Sequence, residues 1–308
     1  MDTLSELLEA HPARGSLDIR CQWSGQWAVP HVAEDPGVVC FHVVMRGRIY
    51  VQVPGHEVVS AMAGDVIVLP GGDAHVVAGG PSDWDQPLPS YGVRHHPLLS
   101  WRTSEEDAPE LDMFCGRIDF GQGASALLTA LPRIMHMPGS ACVSQSSLEA
   151  VVEMMRAEVQ QASPGSRCVV GQLSLTLFTL VLRHWWSRSE DMRGVMGLLR
   201  EPRLRPAALA MLSRFHETLT IEWLASSCHM SRASFLRLFE RVTQATPAGM
   251  LSRLRMDAAA GRLMRSRESI SQIAAAVGFQ SDSAFIRAFE RQHGMTPAAY
   301  RHGGSRPG

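Results

Sequence analysis

The stretch ISQIAAAVGFQSDSAFIRAFERQHGMTPAAYR, residues 270–301, decides how the rest of the chain is read, because much of it occurs twice. Ile221, Leu224, Ala225 and Cys228 recur 49 residues later as Ile270, Ile273, Ala274 and Val277. Ser231, Phe235, Arg237, Phe239, Glu240, Arg241, Thr246 and Pro247 recur 50 residues later as Ser281, Phe285, Arg287, Phe289, Glu290, Arg291, Thr296 and Pro297. A fixed period of this size marks a duplicated supersecondary unit. The offset changes by one inside the unit's turn, where insertions are tolerated.

Each copy predicts helix, short turn, helix. Thr220 and Ser269 are N-cap candidates followed by apolar residues at i, i+3, i+4 and i+7. The turns at His229–Met230 and Gly278–Phe279–Gln280 lead to Ser231 and Ser281, which can cap the second helices, and Gly278 supplies the positive φ a helix end favours. Phe235 with Phe239, and Phe285 with Phe289, lie one turn apart and are expected to face a core. The opposite face carries Arg232, Ala233, Leu236 and Arg237 in the first copy and Asp282, Ser283, Ile286 and Arg287 in the second. Thr246–Pro247 opens a connecting helix to about Arg265, spanning roughly 27 Å. With the bodies of the two units added, the second helices come near the roughly 34 Å between successive major grooves.

Charge points the same way. Residues 1–200 carry 14 Arg against 22 acidic residues and residues 201–308 carry 15 Arg against 8, so a net charge of −1 divides into −8 and +7. Only the tail suits a polyanion. Every basic contact falls to arginine, since the chain has no lysine. The acidic start, Met1 to Leu8, predicts no secretory signal and a cytoplasmic protein. The longest apolar run, Val169 to Trp186, is broken by Gln172, Ser174, Thr176 and Arg183 and reads as a buried helix, with no membrane partner expected. Six cysteines (21, 40, 115, 142, 168 and 228) show neither a CxxC pair nor zinc-finger spacing, so reduced thiols are the default.

Over roughly residues 204–302 the tail resembles the AraC/XylS family of transcriptional regulators. The motif stands as Ile273-Ala274-x-x-Val277-Gly278-Phe279-x-Ser281-x-Ser283-x-Phe285-x-Arg287-x-Phe289 and continues as Gly294-x-Thr296-Pro297-x-x-Tyr300-Arg301. The resemblance implies that both second helices enter adjacent major grooves of double-stranded DNA. Arg237 and Arg287 are then the candidate base readers, since a guanidinium pairs with guanine O6 and N7. Ser231, Arg232, Ser281 and Ser283 are placed for phosphates or bases at the helix N-termini. Leu236 and Ile286 either touch thymine methyls or pack inward. Arg232 is replaced by Asp282 in the second unit, so the two units are expected to read different sequences, the first holding the phosphates more tightly.

In the front half, Cys40–Val44, Arg48–Val53, Val58–Ala61 and Asp65–Leu69 read as short strands broken by Gly47, Pro54–Gly55, Gly64 and Pro70–Gly71–Gly72. Gly64-x5-Pro70-x-Gly72-x2-His75 resembles the second sequence motif of cupin barrels. The first motif's His-x-His and Glu are missing; only His42 stands in that region. His42 and His75 are therefore candidate metal ligands, completed by His31 or His95–His96, or else buried structural histidines. No cofactor and no enzyme activity are expected, because catalysis by such a metal normally needs at least three ligands. The proline-rich residues 80–112, with Glu105, Glu106 and Asp107, read as a long inserted or disordered loop. Leu111 to Phe120 reads as a returning strand. Ser146-x-x-Glu149 is a capping box opening a helix to about Gln161, and a second helix runs from about Ser166 to Ser189.

Met1-Asp2-x-Leu4-Ser5-x-Leu7-Leu8, Cys21, Leu69-Pro70, Ala74-His75, Cys115-Gly116 and Met230-Ser231-Arg232-Ala233-Ser234-Phe235 are similar to reactive-chlorine-sensing regulators of the AraC type. That resemblance implies a redox switch at Cys21 and Cys115. A chlorine oxidant attacks sulfur to give a sulfenyl species, which a neighbouring thiol traps as a disulfide. The polar setting Arg20-Cys21-Gln22 suggests an exposed thiol whose thiolate Arg20 helps stabilise. Cys40, Cys168 and Cys228 sit among apolar positions and are expected in the core; Cys142 is undecided.

The chain thus reads as an α+β protein. A cupin-like β-barrel sensor with a helical pair (residues 1–195) precedes an all-α double helix-turn-helix domain (residues 204–302). The function expected is a transcription activator switched by oxidation of Cys21 and Cys115, with RNA polymerase as a partner and a homodimer open. The alternative is a regulator of the same family responding to a small molecule or metal in the barrel.

Overall fold

The computed structural model describes residues 2–88, 90–104, 109–121, 124–139, 145–189 and 194–303. Helix α1 (Thr3–Glu9) is capped by Asp2, whose carboxylate accepts the Leu4 and Ser5 N–H groups. The strands follow as β1 (Arg14–Trp23), β2 (Ala28–His31), β3 (Val38–Arg46), β4 (Arg48–Gln52), β5 (Val59–Met62), β6 (Val66–Leu69), β7 (His75–Ala78), β8 (Gly92–Arg94), β9 (Ser100–Thr103) and β10 (Leu111–Asp119). The short helix α2 (Ser125–Ala130) and strand β11 (Met135–Met137) close the series. One sheet runs β11-β6-β3-β10-β1-β9-β8 and the second β2-β7-β4-β5. The sequence-derived strands all form, and the expected barrel is two sheets facing across a shared core.

Alternation along the strands fills two cores. Val39, Phe41 and Val43 of β3, with Val66 and Val68 of β6, face the helical layer. Cys40 and Val44, with Ile67 and Leu69, face the space between the sheets. β1 changes its allegiance midway. A bulge between Leu17 and Ile19 breaks its register with β10, so Leu17 joins the helix-facing core while Ile19, Cys21 and Trp23 join the inter-sheet core. A bulge shifts every later side chain to the other face.

The segment expected to be a long loop is partly built into the sheet. β9 lies parallel to β1 and β8 pairs with β9, extending the sheet past the edge that β1 would otherwise leave open. The prolines and the shortness of the two strands hide them from sequence reading. Glu105, Glu106 and Asp107 lie outside the described residues.

Helices α3 (Gln145–Gln161) and α4 (Ser166–Arg188) cover the large sheet. Ser146, expected as a cap, lies one residue inside α3. α4 is long and apolar enough by length and composition to cross a membrane, but Val170, Leu173, Leu177, Phe178 and Val181 are buried in the helix-facing core. α4 meets β1 backbone to backbone. A methyl group on Gly15 would sit 2.4 Å from the Gly171 carbonyl oxygen, and one on Gly171 would sit 2.9 Å from that of Gly15.

The tail comprises α5 (Gly194–Arg200), α6 (Arg205–Ser213), α7 (Ile221–Ser227), α8 (Arg232–Thr243), α9 (Pro247–Arg265), α10 (Ile270–Ala276), α11 (Asp282–His293) and α12 (Pro297–Gly303). Thr220, Ser231, Thr246, Ser269 and Ser281 each accept a backbone N–H three residues on, and Gln272 returns the bond to Ser269. Gly278 turns α10 toward α11 at φ +86°. Phe235, Phe239, Phe285 and Phe289 are fully buried. α2 of the N-terminal domain packs against α9, the connecting helix, and also meets α6.

The substitution Gly15→Ala is expected to lower stability by about 1–3 kcal/mol through overpacking against α4, read as a lower urea midpoint. Gly92→Ala, whose methyl would meet nothing nearer than the Thr103 oxygen at 4.0 Å, is expected to stay within about 0.5 kcal/mol of the parent.

Candidate functional site

Among the described residues, two places carry chemistry. The first lies between the two sheets. Cys115 on β10 is directly opposite His42 on β3, and Cys21 on β1 is the diagonal neighbour of Cys115, since Cys21 pairs with Met113 and Ile19 with Cys115. Diagonal neighbours on one sheet face are within side-chain reach. The Cys21 and Cys115 thiols are close enough to interact, and that interaction raises the Cys115 thiol; both cysteines are buried and free. From the opposite sheet, His31 on β2 and His75 on β7 are register partners with rings stacked 4.5 Å apart.

A hydrogen-bonded chain runs through this cluster. His75 Nδ1 lies 2.8 Å from the Asp73 carbonyl oxygen, His75 Nε2 lies 2.9 Å from His42 Nε2, and His42 Nδ1 lies 3.2 Å from Cys115 Sγ. A carbonyl only accepts, so His75 donates from Nδ1 and its Nε2 accepts. His42 must then donate from Nε2, which leaves Nδ1 bare to accept the Cys115 S–H. The tautomers follow from the network.

Burial sets the protonation states. Desolvation, reinforced by His75 and Arg102, pushes His31 down to about 3. Desolvation holds His42 well below the ordinary imidazole range, and it lowers His75 against the opposing hydrogen bond to Asp73. All three imidazoles are therefore neutral at physiological pH. The interaction with Cys21, then burial, pushes the Cys115 thiol well up, while the positive charge of Arg102 acts in the opposite direction. Burial first, then the charge of Glu34, pushes Cys40 up to about 12.

Several sequence expectations change here. Cys21 is 3% exposed, not on the surface. Its polar neighbours Arg20 and Gln22 point to the other face of β1, as strand alternation requires. Arg20 accordingly does not serve the thiol. Its Nε lies 2.9 Å from Asp112 Oδ1 and its guanidinium sits 4.3 Å from the Trp101 ring centre, so it ties β1, β9 and β10 together. Cys40 and Cys228 are buried as expected, but Cys168 is exposed on the outer side of α4; Cys142 lies outside the described residues. His42 and His75 do meet, and of the two candidates for a third imidazole it is His31 that joins them. His96 is occupied elsewhere, 2.7 Å from the Val159 carbonyl oxygen. Arg102 was beyond sequence reading, because only the strand order brings it near His31.

The second place is the outward side of the tail. Arg232, Ala233 and Arg237 on α8, and Asp282, Ser283 and Arg287 on α11, are exposed at matching positions, as are the caps Ser231 and Ser281. Leu236 and Ile286 are half-buried and pack against the tail core, so the packing reading fits them. Arg232 Nε is held 2.9 Å from Glu222 Oε1, and Ser271 Oγ donates to Asp282. The tail's positive excess is only partly available to a ligand. Arg255 donates to the Phe215 and Glu217 carbonyls, and Arg262 is buried against Glu268.

Comparison with known proteins agrees with both halves. Residues 2–187 match a family profile described as Cupin, and residues 224–303 one described as Helix-turn-helix domain. The chain is 31% identical over 302 residues to the RCS-specific HTH-type transcriptional activator RclR of Escherichia coli K12, spanning 98% of this chain and 97% of that protein. It is 30% identical to an uncharacterized HTH-type transcriptional regulator of Haemophilus influenzae, with 98% of both chains covered. Among solved structures, the DNA-binding domain of AdpA in complex with a target DNA is 36% identical over 33% of this chain and 90% of that one, with a TM-score of 0.31.

Removing Arg20 strands a buried carboxylate. Arg20→Met is expected to cost about 3–5 kcal/mol in chemical denaturation, and the double substitution Arg20→Met/Asp112→Leu to recover most of that loss.

Proposed function

This chain belongs to the AraC-type family of DNA-binding transcriptional regulators with a cupin sensor domain, and on that premise we propose that it is an activator switched by oxidation of Cys21 and Cys115. The observation that carries the reading is the contact between these two buried thiols, one of them hydrogen-bonded to a neutral imidazole. The Escherichia coli relative's name, specific for RCS, suggests the oxidant class: reactive chlorine species.

The chemistry balances with hypochlorous acid alone. The Cys21 thiol and HOCl give a sulfenyl chloride and water. Cys115 sulfur then attacks that sulfur, the S–Cl bond breaks, chloride leaves, and the Cys115 proton passes to His42 Nδ1. Burial adds selectivity, because a small oxidant enters between the sheets where a bulky thiol such as glutathione does not. The same exclusion protects the product from reduction by thiol exchange.

The output runs through contacts between the domains. Disulfide closure pulls β1 and β10 together and moves sulfur off His42, which is joined through His75 to the Asp73 segment. Arg133, just after α2, pairs with Asp73 at 2.9 Å, and α2 packs on α9 between the two reading units. Ser231, Arg232, Ala233, Leu236 and Arg237 of the first unit, and Ser281, Asp282, Ser283, Ile286 and Arg287 of the second, form the DNA-reading faces, with RNA polymerase as the downstream partner.

With purified protein and its cognate promoter, Cys21→Ser and Cys115→Ser are each expected to abolish hypochlorite-stimulated transcription while leaving basal DNA binding intact. Cys40→Ser is expected to respond normally. A full response in the Cys21→Ser/Cys115→Ser protein would refute the switch.

Arg237→Ala and Arg287→Ala are each expected to weaken specific DNA binding by about 1–3 kcal/mol and to relax sequence preference in different half-sites. Quantitative footprinting reads both effects. Unchanged affinity in both variants would mean that other faces of α8 and α11 meet the grooves.

A further inference from the structure

A cavity between the N-terminal domain and the tail takes one wall from each. It measures about 510 Å³ and lies outside the space between the sheets, since neither the thiol pair nor His31, His42 and His75 line it. Leu128, Leu131 and the Asp73–Arg133 pair line it on the N-terminal side, and Asp257, Ala260 and Met264 of α9 line it on the other. We propose that this cleft binds one organic cation, a protonated primary amine carried on a short apolar chain.

Asp257 sets the sign of the ligand's charge. It is partly buried, and its Oδ1 accepts a hydrogen bond of 2.8 Å from Gln292 Nε2. Among the described residues no basic side chain forms an ion pair with it. Burial pushes its carboxyl up to about 6, although the charge of Arg253 and the Gln292 bond act the other way. Such a carboxylate is short of a cation, and an ammonium group donating to Oδ2 supplies one. The other charges of the lining offset each other, because Arg133 Nη2 lies 2.9 Å from Asp73 Oδ1. Two carboxylates against one guanidinium leave the cleft acidic inside an otherwise basic tail.

The rest of the lining favours an organic cation over a metal ion. A divalent metal takes several oxygen or imidazole ligands, and both carboxylate oxygens of Asp73 are already held by Arg133, at 3.2 and 2.9 Å. Apolar surface supplies much of what remains. Leu128 and Leu131 are buried, and Met264 keeps 48% of its surface exposed. An alkyl chain lying against Met264 gives that side chain the apolar cover it lacks. Tyr300 adds an aromatic ring to the wall, a second group that attracts ammonium ions.

The position of the cleft gives its ligand a mechanical role. One wall is the α2 segment and the other is α9, the helix between the two helix-turn-helix units. A ligand touching both walls favours the arrangement in which α2 packs on α9, because a ligand stabilises the state that it binds. No thiol takes part, so this handle on the tail is independent of sulfur oxidation.

The test titrates full-length, reduced protein with octylamine by calorimetry, with octanoate and octanol as the chain-matched anion and neutral probe. One octylamine per chain is expected, with both control probes at least about tenfold weaker. Asp257→Asn keeps an acceptor for Gln292 and removes the charge, so it should weaken octylamine binding by roughly ten- to a hundredfold, the effect of one charged hydrogen bond. Ala74→Arg puts a cation on the N-terminal wall and should also weaken it. Ala74 is exposed, so this variant keeps the fold, which circular dichroism checks. Cys21→Ser/Cys115→Ser protein should bind octylamine as the parent does, which keeps the cleft separate from the redox switch. Absence of one-to-one octylamine binding, equal affinity for octanoate, undiminished binding in Asp257→Asn or Ala74→Arg, or loss of binding in the double cysteine variant would each overturn the proposal.

Discussion

The antiparallel pairing of β1 with β10, with its bulge beside Asp18, is the constraint on which the sensor depends. Without the bulge, Leu17 and Ile19 would share a face, and either Leu17 would leave the helical layer or Cys21 would leave the space between the sheets. With it, the first half of β1 packs on α4 through the Gly15–Gly171 approach, and the second half carries Cys21 and Trp23 inward. The Arg20–Asp112 pair on the reverse face then fixes the register that sets Cys21 diagonal to Cys115. Geometry at the thiols is therefore determined by backbone pairing rather than by local side-chain choice.

Burial gives the cluster its character. In water, three histidines and two cysteines this close would exchange protons freely. Between the sheets the three imidazoles and the Cys115 thiol are held neutral, and a single direction of hydrogen bonding leads from Cys115 through His42 and His75 to the Asp73 backbone. The chain ends on a segment whose side chain meets Arg133, beside the helix that touches α9. The cluster and the helix-turn-helix tail are thus connected by a short series of packed contacts, in which α2 meets α9.

The tail was legible in the sequence almost residue by residue, because its signals are local. Caps at Thr220, Ser231, Thr246, Ser269 and Ser281, the paired phenylalanines and Gly278 each act within one or two turns of helix. The front half was legible as strands but not as a sheet order. Nothing near His31 announces that β2 pairs with β7 in a register that stacks His31 on His75, and nothing near Ser100–Thr103 announces a parallel edge beside β1. Cys21 was misjudged because its polar neighbours were read as its environment, when in a strand they define the opposite face. Cys168 was misjudged because an apolar run was read as uniformly buried, although a helix still turns one side to solvent. The pairing of Cys21 with Cys115 came from family resemblance, and the physical reason for their contact became visible only with the fold.

The central claim is that Cys21 and Cys115 react as one unit. Its most direct test is non-reducing peptide mapping by mass spectrometry after the folded, reduced protein receives one equivalent of hypochlorite. The account expects a Cys21–Cys115 linked peptide, with both thiols lost together from alkylation and Cys40 still free. A Cys40–Cys115 link, or loss of Cys21 and Cys115 independently of each other, would contradict it.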